Sequence, residues 1–329
     1  MLHTKSRLFP LLLALGLLFC ACTAEPEPPV STATDLPSEP GISSEGSSDV
    51  PTVSGGITLP PDDPVRYVVC TEQDLHKGDL LLVNHTAPYD ASLYEGVLTD
   101  VRSARVTEIQ EISYQIPIVE SLLRTLEALQ TDLQSVMNDR VCLLVNDSYR
   151  SAEAQQATID EYLALYGQAY VDKYVAPVGY SEHHTGLAVD LSFYNLSNGA
   201  ILATTSTEAA AHYAWFLKNC GRYGLILRYP PGREDVTGSS ETWHFRYVGV
   251  PHAGYIASHN LVLEEYLDLL KKTSLDDPLF IQTEEGDGYR VYYVPMTSGE
   301  TQVPVPKDKA YTLSGNNADG FIVTVEEAG

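Results

Sequence analysis

Between Ile118 and Asn146 the apolar residues change their period once, and that change constrains the fold more than any other stretch of the chain. Val119, Leu122, Leu123, Leu126, Leu129 and Leu133 recur at three- and four-residue steps, which puts them on one stripe of an amphipathic helix. The run VCLLVN at 141–146 abandons that spacing for a short apolar block with β-branched ends, as a buried central strand requires. Helix and strand keep mixing across residues 65–270. Val65 to Cys70, Asp79 to Asn84 and residues 224–229 read as strands. A second helix starts after Ser151, a suitable N-cap, and stops at Gly167. A third runs from about Thr207 to Cys220, with Thr205 and Glu208 at capping-box spacing, and a last one follows Pro251 and includes residues 261–270. Beyond residue 275 the texture turns to short strands around a GNNADG turn, so an α+β domain with a small β-rich C-terminal extension is expected.

The first 22 residues carry Lys5 and Arg7 ahead of an apolar run from Leu8 to Cys20, too short to span a bilayer comfortably, and read as an export signal. Their end, Phe19-Cys20-Ala21-Cys22, resembles the lipobox of bacterial lipoproteins, with Phe19 in place of the usual leucine. That resemblance implies lipidation of Cys22 and membrane association without a transmembrane helix; cleavage as a plain secreted protein is the alternative. Residues 23–60, rich in Pro, Ser, Glu and Gly, read as a flexible spacer, leaving a main domain over 61–274 and the extension over 275–329. With 20 basic against 44 acidic residues the net charge is −24, which argues against nucleic-acid binding. Cys70, Cys142 and Cys220 form neither a disulfide framework nor a metal knuckle; one disulfide or three buried thiols are both open. No heptad or apolar repeat asks for a partner, so a monomer is expected.

Chemistry concentrates in two strings. In SEHHTGLAVD, 181–190, a turn at Gly186 can bring His183 back beside Asp190 at a strand end; a His–Asp hydrogen bond that only fixes a loop is the plainer reading. In ETWH, 241–244, Glu241 and His244 share a face in a helix or tight turn but point oppositely in an ideal strand. Zn²⁺ accepts imidazole nitrogen and carboxylate oxygen, and catalytic sites use three protein ligands with one open position. His183, Asp190 and His244 supply that set and leave Glu241 free to take a water proton, unless it is simply a surface glutamate. Trp243 reads as a packing residue. Arg150, between a strand and a helix, can clamp a carboxylate or meet a developing oxyanion, or make a structural salt bridge.

These strings together resemble the zinc D-alanyl-D-alanine carboxypeptidases of the VanY type, within the metallopeptidase family M15. The family's SxHxxGxAxD pattern is met by Ser181, His183, Gly186, Ala188 and Asp190, and its ExWH pattern by Glu241, Trp243 and His244. Its YRS…Q element looks like Tyr149, Arg150, Ser151 and Gln155, and 223–230 and 243–253 look like its connecting segments. Tyr180 and Thr242 depart from common His and Pro without removing a ligand.

The resemblance implies a small antiparallel sheet with flanking helices around one zinc ion held by His183, Asp190 and His244. It also implies Glu241 as base, Arg150 beside the substrate, and Ser181 and Gln155 as further substrate-binding positions. It implies trimming of the terminal D-alanine from peptidoglycan stem peptides outside the cell membrane. An L,D-carboxypeptidase acting on tetrapeptide stems, and a non-catalytic wall-binding module, are the alternatives. His184 and His252 read as bystanders, the first a donor behind the ligands and the second at most a cleft residue.

Overall fold

The computed structural model describes residues 64–327 except Glu95 and Tyr114. The export signal, Cys22 and the spacer lie outside the described residues.

The central sheet runs in the order Gln110–Glu111, Val141–Asp147, Ala188–Asn195, Glu241–Tyr247, Leu225–Tyr229, with Ala200–Leu202 also paired to 188–195. Every pairing is antiparallel except the short edge strand 110–111. Helix Glu120–Met137 lies on this sheet with Leu122, Leu123, Leu126, Leu129 and Leu133 buried, as its periodicity dictates. Each buried leucine contributes roughly 2 kcal/mol of apolar transfer. The helix stops where Asn138 enters the left-handed region at φ +50°. Gln130, on the buried face, accepts a hydrogen bond from the Leu143 amide at 2.7 Å and ties helix to strand.

Other expected elements appear with shifted bounds. Ser151 caps helix Ala152–Tyr166 through the Ala154 amide, and Gly167 ends it. The third helix is only Ala210–Asn219. The capping box expected of Thr205 and Glu208 is not formed, and Ser206 Oγ instead accepts from the Ala209 amide at 3.2 Å. The last helix is two, Val250–Ser258 and Leu263–Leu270, broken at Asn260 with φ +52°.

Residues 79–84 are not a strand. Their apolar run is buried at Leu80, Leu81 and Val83, but side chains occupy much of the backbone that a neighbouring strand would need. Ser314 Oγ takes the Leu80 amide, Arg246 donates to the Asp79 and Leu81 carbonyls, and Asn317 donates to that of Leu82.

Beyond residue 275 the chain is β-rich as expected. A four-stranded antiparallel sheet orders Leu279–Gln282, Gly288–Pro295, Gly320–Glu327 and Tyr311–Gly315. The remaining strand, Thr301–Pro306, pairs antiparallel with Val65–Cys70, Val65 opposite Pro306 and Cys70 opposite Thr301. Ile281, Val291 and Ile322 share a core with Ile226, Val248 and helix 263–270. Cys70, Cys142 and Cys220 are buried free thiols.

Candidate active site

The site is assembled by two neighbouring strands and one turn. Asp190 and His244 are cross-strand partners in the antiparallel pair 188–195 and 241–247. His183 arrives on the short 3-10 turn Glu182–Thr185, which Gly186 closes at φ +71°. A Cβ at Gly186 would lie 2.8 Å from Val119 Cγ2, so glycine is required by space as well as by conformation.

His183 Nε2 stands 3.5 Å from Asp190 Oδ2, and His244 Nδ1 stands 3.0 Å from Asp190 Oδ1. One ligand atom from each residue lies within 4.8 Å of the others. Donors about 3.3 Å apart are what a tetrahedral zinc with bonds near 2.0–2.1 Å demands. The two His–Asp190 separations, one to each carboxylate oxygen, lie on either side of that value, so the donor set fits such an ion.

The far side of each imidazole is also fixed. His183 Nδ1 donates to the Ser148 carbonyl at 2.5 Å, leaving Nε2 for the site. His244 Nε2 faces Glu182 Oε2 at 3.3 Å, leaving Nδ1. Outer partners of this kind orient metal-ligating histidines and raise their basicity. Burial opposes a charge on His244, but its bonds to Asp190 and Glu182 win and push it up to about 10. Burial likewise opposes ionisation of Asp190, yet His183 and His244 hold its carboxyl far below the usual range.

Glu182 is specified by neither motif and yet stands behind the ligands. Its carboxylate is fully buried, and Oε1 accepts from Arg228 Nε and Arg246 Nη1, both at 2.8 Å. Those guanidiniums overcome the burial cost and keep it ionised. Arg228 also reaches Glu264 at 2.6 Å. The available signal was a pair of arginines, Arg228 and Arg246, set inside otherwise apolar strand sequences, where charged residues are rare unless paired.

Glu241 and His244 lie on one strand but come together, His244 Nδ1 4.0 Å from Glu241 Oε2. The strand is irregular there. Leu227 pairs with Phe245 and Tyr229 with Glu241, so four steps on one strand match two on the other. The extra residues turn Glu241 and His244 to one side, which an ideal strand forbids. Burial raises the Glu241 carboxyl above its ordinary value, partly offset by His244, and Ser239 Oγ donates to Oε1 at 2.7 Å.

Arg150 follows strand 141–147. Nε donates to Asp147 Oδ2 at 3.0 Å, Nη2 donates to the same oxygen, and Nη1 donates to Gln155 Oε1 at 2.7 Å. Its backbone is locked too, the amide to the His183 carbonyl and the carbonyl to His184 Nδ1. His184 accepts from the Gly179 amide through Nε2, so both its nitrogens serve the backbone behind the ligands. Gln155 was expected to touch substrate. It is 1% exposed, with its carbonyl on Arg150 and its amide on the Ala176 carbonyl, because helix 152–166 turns it inward. Ser181 is buried at the start of the 3-10 turn. His252 lies away from the cleft, between Tyr266 and Thr324.

The family model for VanY, described as D-alanyl-D-alanine carboxypeptidase, matches residues 120–250. A D-alanyl-D-alanine carboxypeptidase of Enterococcus faecium is 33% identical over 261 residues, 78% of this chain and 77% of that protein. One from Enterococcus faecalis is 31% identical over 253 residues, 74% and 82% of the two chains. Among solved structures, the vancomycin-resistance D,D-dipeptidase VanXYg, bound to a D-Ala-D-Ala phosphinate analogue, superposes with a TM-score of 0.69 at 28% identity. The match covers 80% of this chain and all of that one.

Proposed function

The chain belongs to the VanY family of D-alanyl-D-alanine carboxypeptidases, and on that premise we propose that it is a zinc-dependent D,D-carboxypeptidase of peptidoglycan stem peptides. The observation that supports this reading most is the convergence of His183, Asp190 and His244 within 4.8 Å, with Glu241 beside them and outside the ligand set.

His183, Asp190 and His244 would hold the ion. Zinc, when bound, supplies Lewis-acid activation of water and polarisation of the scissile carbonyl. Glu241 takes the proton that water loses as its oxygen attacks the carbonyl carbon, then returns it to the leaving D-alanine amine as the C–N bond breaks. A raised carboxyl suits both tasks, since it is a stronger base toward the water proton than an ordinary carboxylate and holds that proton until the leaving amine takes it. Arg150 offers a fixed positive charge to the developing oxyanion or to the terminal carboxylate, and Asp147 and Gln155 keep its guanidinium from swinging. Ser181, buried at the start of the 3-10 turn, is a further substrate-binding position in this reading.

The protein acts outside the cell membrane as a monomer, tethered through a lipid on Cys22, with residues 23–60 as its leash. An acidic chain of charge −24 has no attraction for nucleic acid.

Incubation with defined stems tests the reaction. D-alanine should be released from pentapeptide, not from tetrapeptide, and release should stop with a chelator and return with zinc. Release from tetrapeptide alone selects an L,D-carboxypeptidase, and none from either leaves a wall-binding module.

A further inference from the structure

Helix 152–166 gives way at Gly167, φ +81°, to helix Gln168–Tyr174. Across this joint tyrosines recur at every fourth residue, Tyr162, Tyr166, Tyr170 and Tyr174. Four-residue spacing lines one helix face. The glycine carries the row through the break, because the rings stay in sequence. Tyr166 and Tyr170 are 4.7 Å apart between centroids and Tyr170 and Tyr174 4.9 Å, while Tyr162 lies 5.7 Å from Tyr166 and 5.8 Å from Tyr170. The hydrophobic cores make no use of the row, whose outer members Tyr166 and Tyr174 are 46% and 40% exposed.

Its inner end reaches the cleft. Gln155, which holds Arg150, lies seven residues before Tyr162 on the same helix face. Tyr162, its phenol pushed up mainly by burial, also feels the charges of Arg150 and Asp190, and Tyr170 feels that of Glu241.

We infer that this tyrosine row is a glycan-binding platform on which pyranose rings of the strand bearing the stem peptide stack. The identity of the occupant rests on the carboxypeptidase reading: a stem peptide seated in the cleft is joined covalently to a sugar strand, which must leave past one wall. A phenol presents an apolar face to the C–H face of a pyranose and a hydroxyl to its rim. Charge narrows the choice further. Glu161 bears on Tyr162, Asp160 and Asp172 lie on the same two helices, and Lys173, whose Nζ sits 4.9 Å from the Tyr174 ring centroid, is the one cation in residues 152–174. Such a surround repels anionic polymers, anionic lipid and a second copy of a chain charged −24, but not a neutral sugar.

Chito-oligosaccharides, uncharged chains of β-1,4-linked N-acetylglucosamine that carry no peptide, are the probe, titrated onto the full-length protein. The wild type should bind them. Tyr166→Ala with Tyr174→Ala should weaken binding by about tenfold. The Tyr166→Phe, Tyr174→Phe pair, which keeps both rings, should stay within about threefold of wild type. No binding by the wild type, or an alanine pair that binds as tightly, overturns the inference. So does a wild-type dimer that the alanine pair converts to monomer in sedimentation, which would assign the face to a second copy. The probe contains no scissile peptide bond, so failure of the hydrolysis assay leaves this result unaffected.

Discussion

Nε2 of His244 stands 3.3 Å from Oε2 of Glu182, on the opposite edge of the imidazole from Asp190. One buried carboxylate therefore orients a metal ligand while pairing with both Arg228 and Arg246. Glu182→Gln should weaken zinc binding by about 10–100-fold, read by competition with a chromogenic chelator. It should also lower unfolding stability by about 3 kcal/mol, because the arginines keep their charge. Unchanged zinc affinity would reduce Glu182 to a structural ion-pair partner.

Glu241 is separable from the metal. Glu241→Gln should retain one zinc per chain by atomic absorption and lose turnover by a factor on the order of 10²–10⁴. A variant that arrives free of zinc would make Glu241 a ligand and sink its role as base.

Proton and metal compete at His244. Without metal, its bonds to Asp190 and Glu182 outweigh burial and raise it to about 10, so it carries a proton at neutral pH that zinc must displace. Zinc binding should release protons, and affinity should fall by about tenfold for each pH unit lowered below that value. Calorimetry at one pH in buffers of different ionisation heat checks this. Identical heats in all buffers would rule it out.

His252 sets a second pH dependence, far from the cleft. Its nitrogens meet Tyr266 Oη at 2.7 Å and Thr324 Oγ1 at 3.0 Å, and burial pushes it down to about 3 from an ordinary value of 6.5. Between those values the unfolded chain binds a proton that the folded chain refuses. The contribution of His252 is thus intact above about 6.5 and lost progressively as pH falls toward 3. Wild type should lose about 2 kcal/mol more than His252→Gln between pH 7 and pH 5 in urea unfolding. Parallel losses in the two proteins would refute the assignment.

Legibility in the sequence followed the range of the interaction. Leu122 to Leu133, the Ser151 cap and the Gly186 turn depend on neighbours a few residues away, and all three are where spacing placed them. His183, Asp190 and His244 were legible because ligand chemistry restricts residue type, and they do converge. Residues 79–84 misled, since an apolar run reports burial and not which groups take its backbone hydrogen bonds, here Ser314, Arg246 and Asn317. For Gln155 the position near the site was readable and the inward rotamer toward Arg150 was not. Glu182 escaped notice because its value depends on Arg228 and Arg246, which are distant in the chain.

Among the described residues, the first strand, Val65–Cys70, pairs only with Thr301–Pro306, far along the chain. Pairing across so long an interval is entropically costly and slow to form. The strand must wait, unpartnered, until residues 301–306 have been synthesised. A protein that has to thread through a translocation channel gains from that delay, because the final clasp of its fold cannot shut until the last strands have come through.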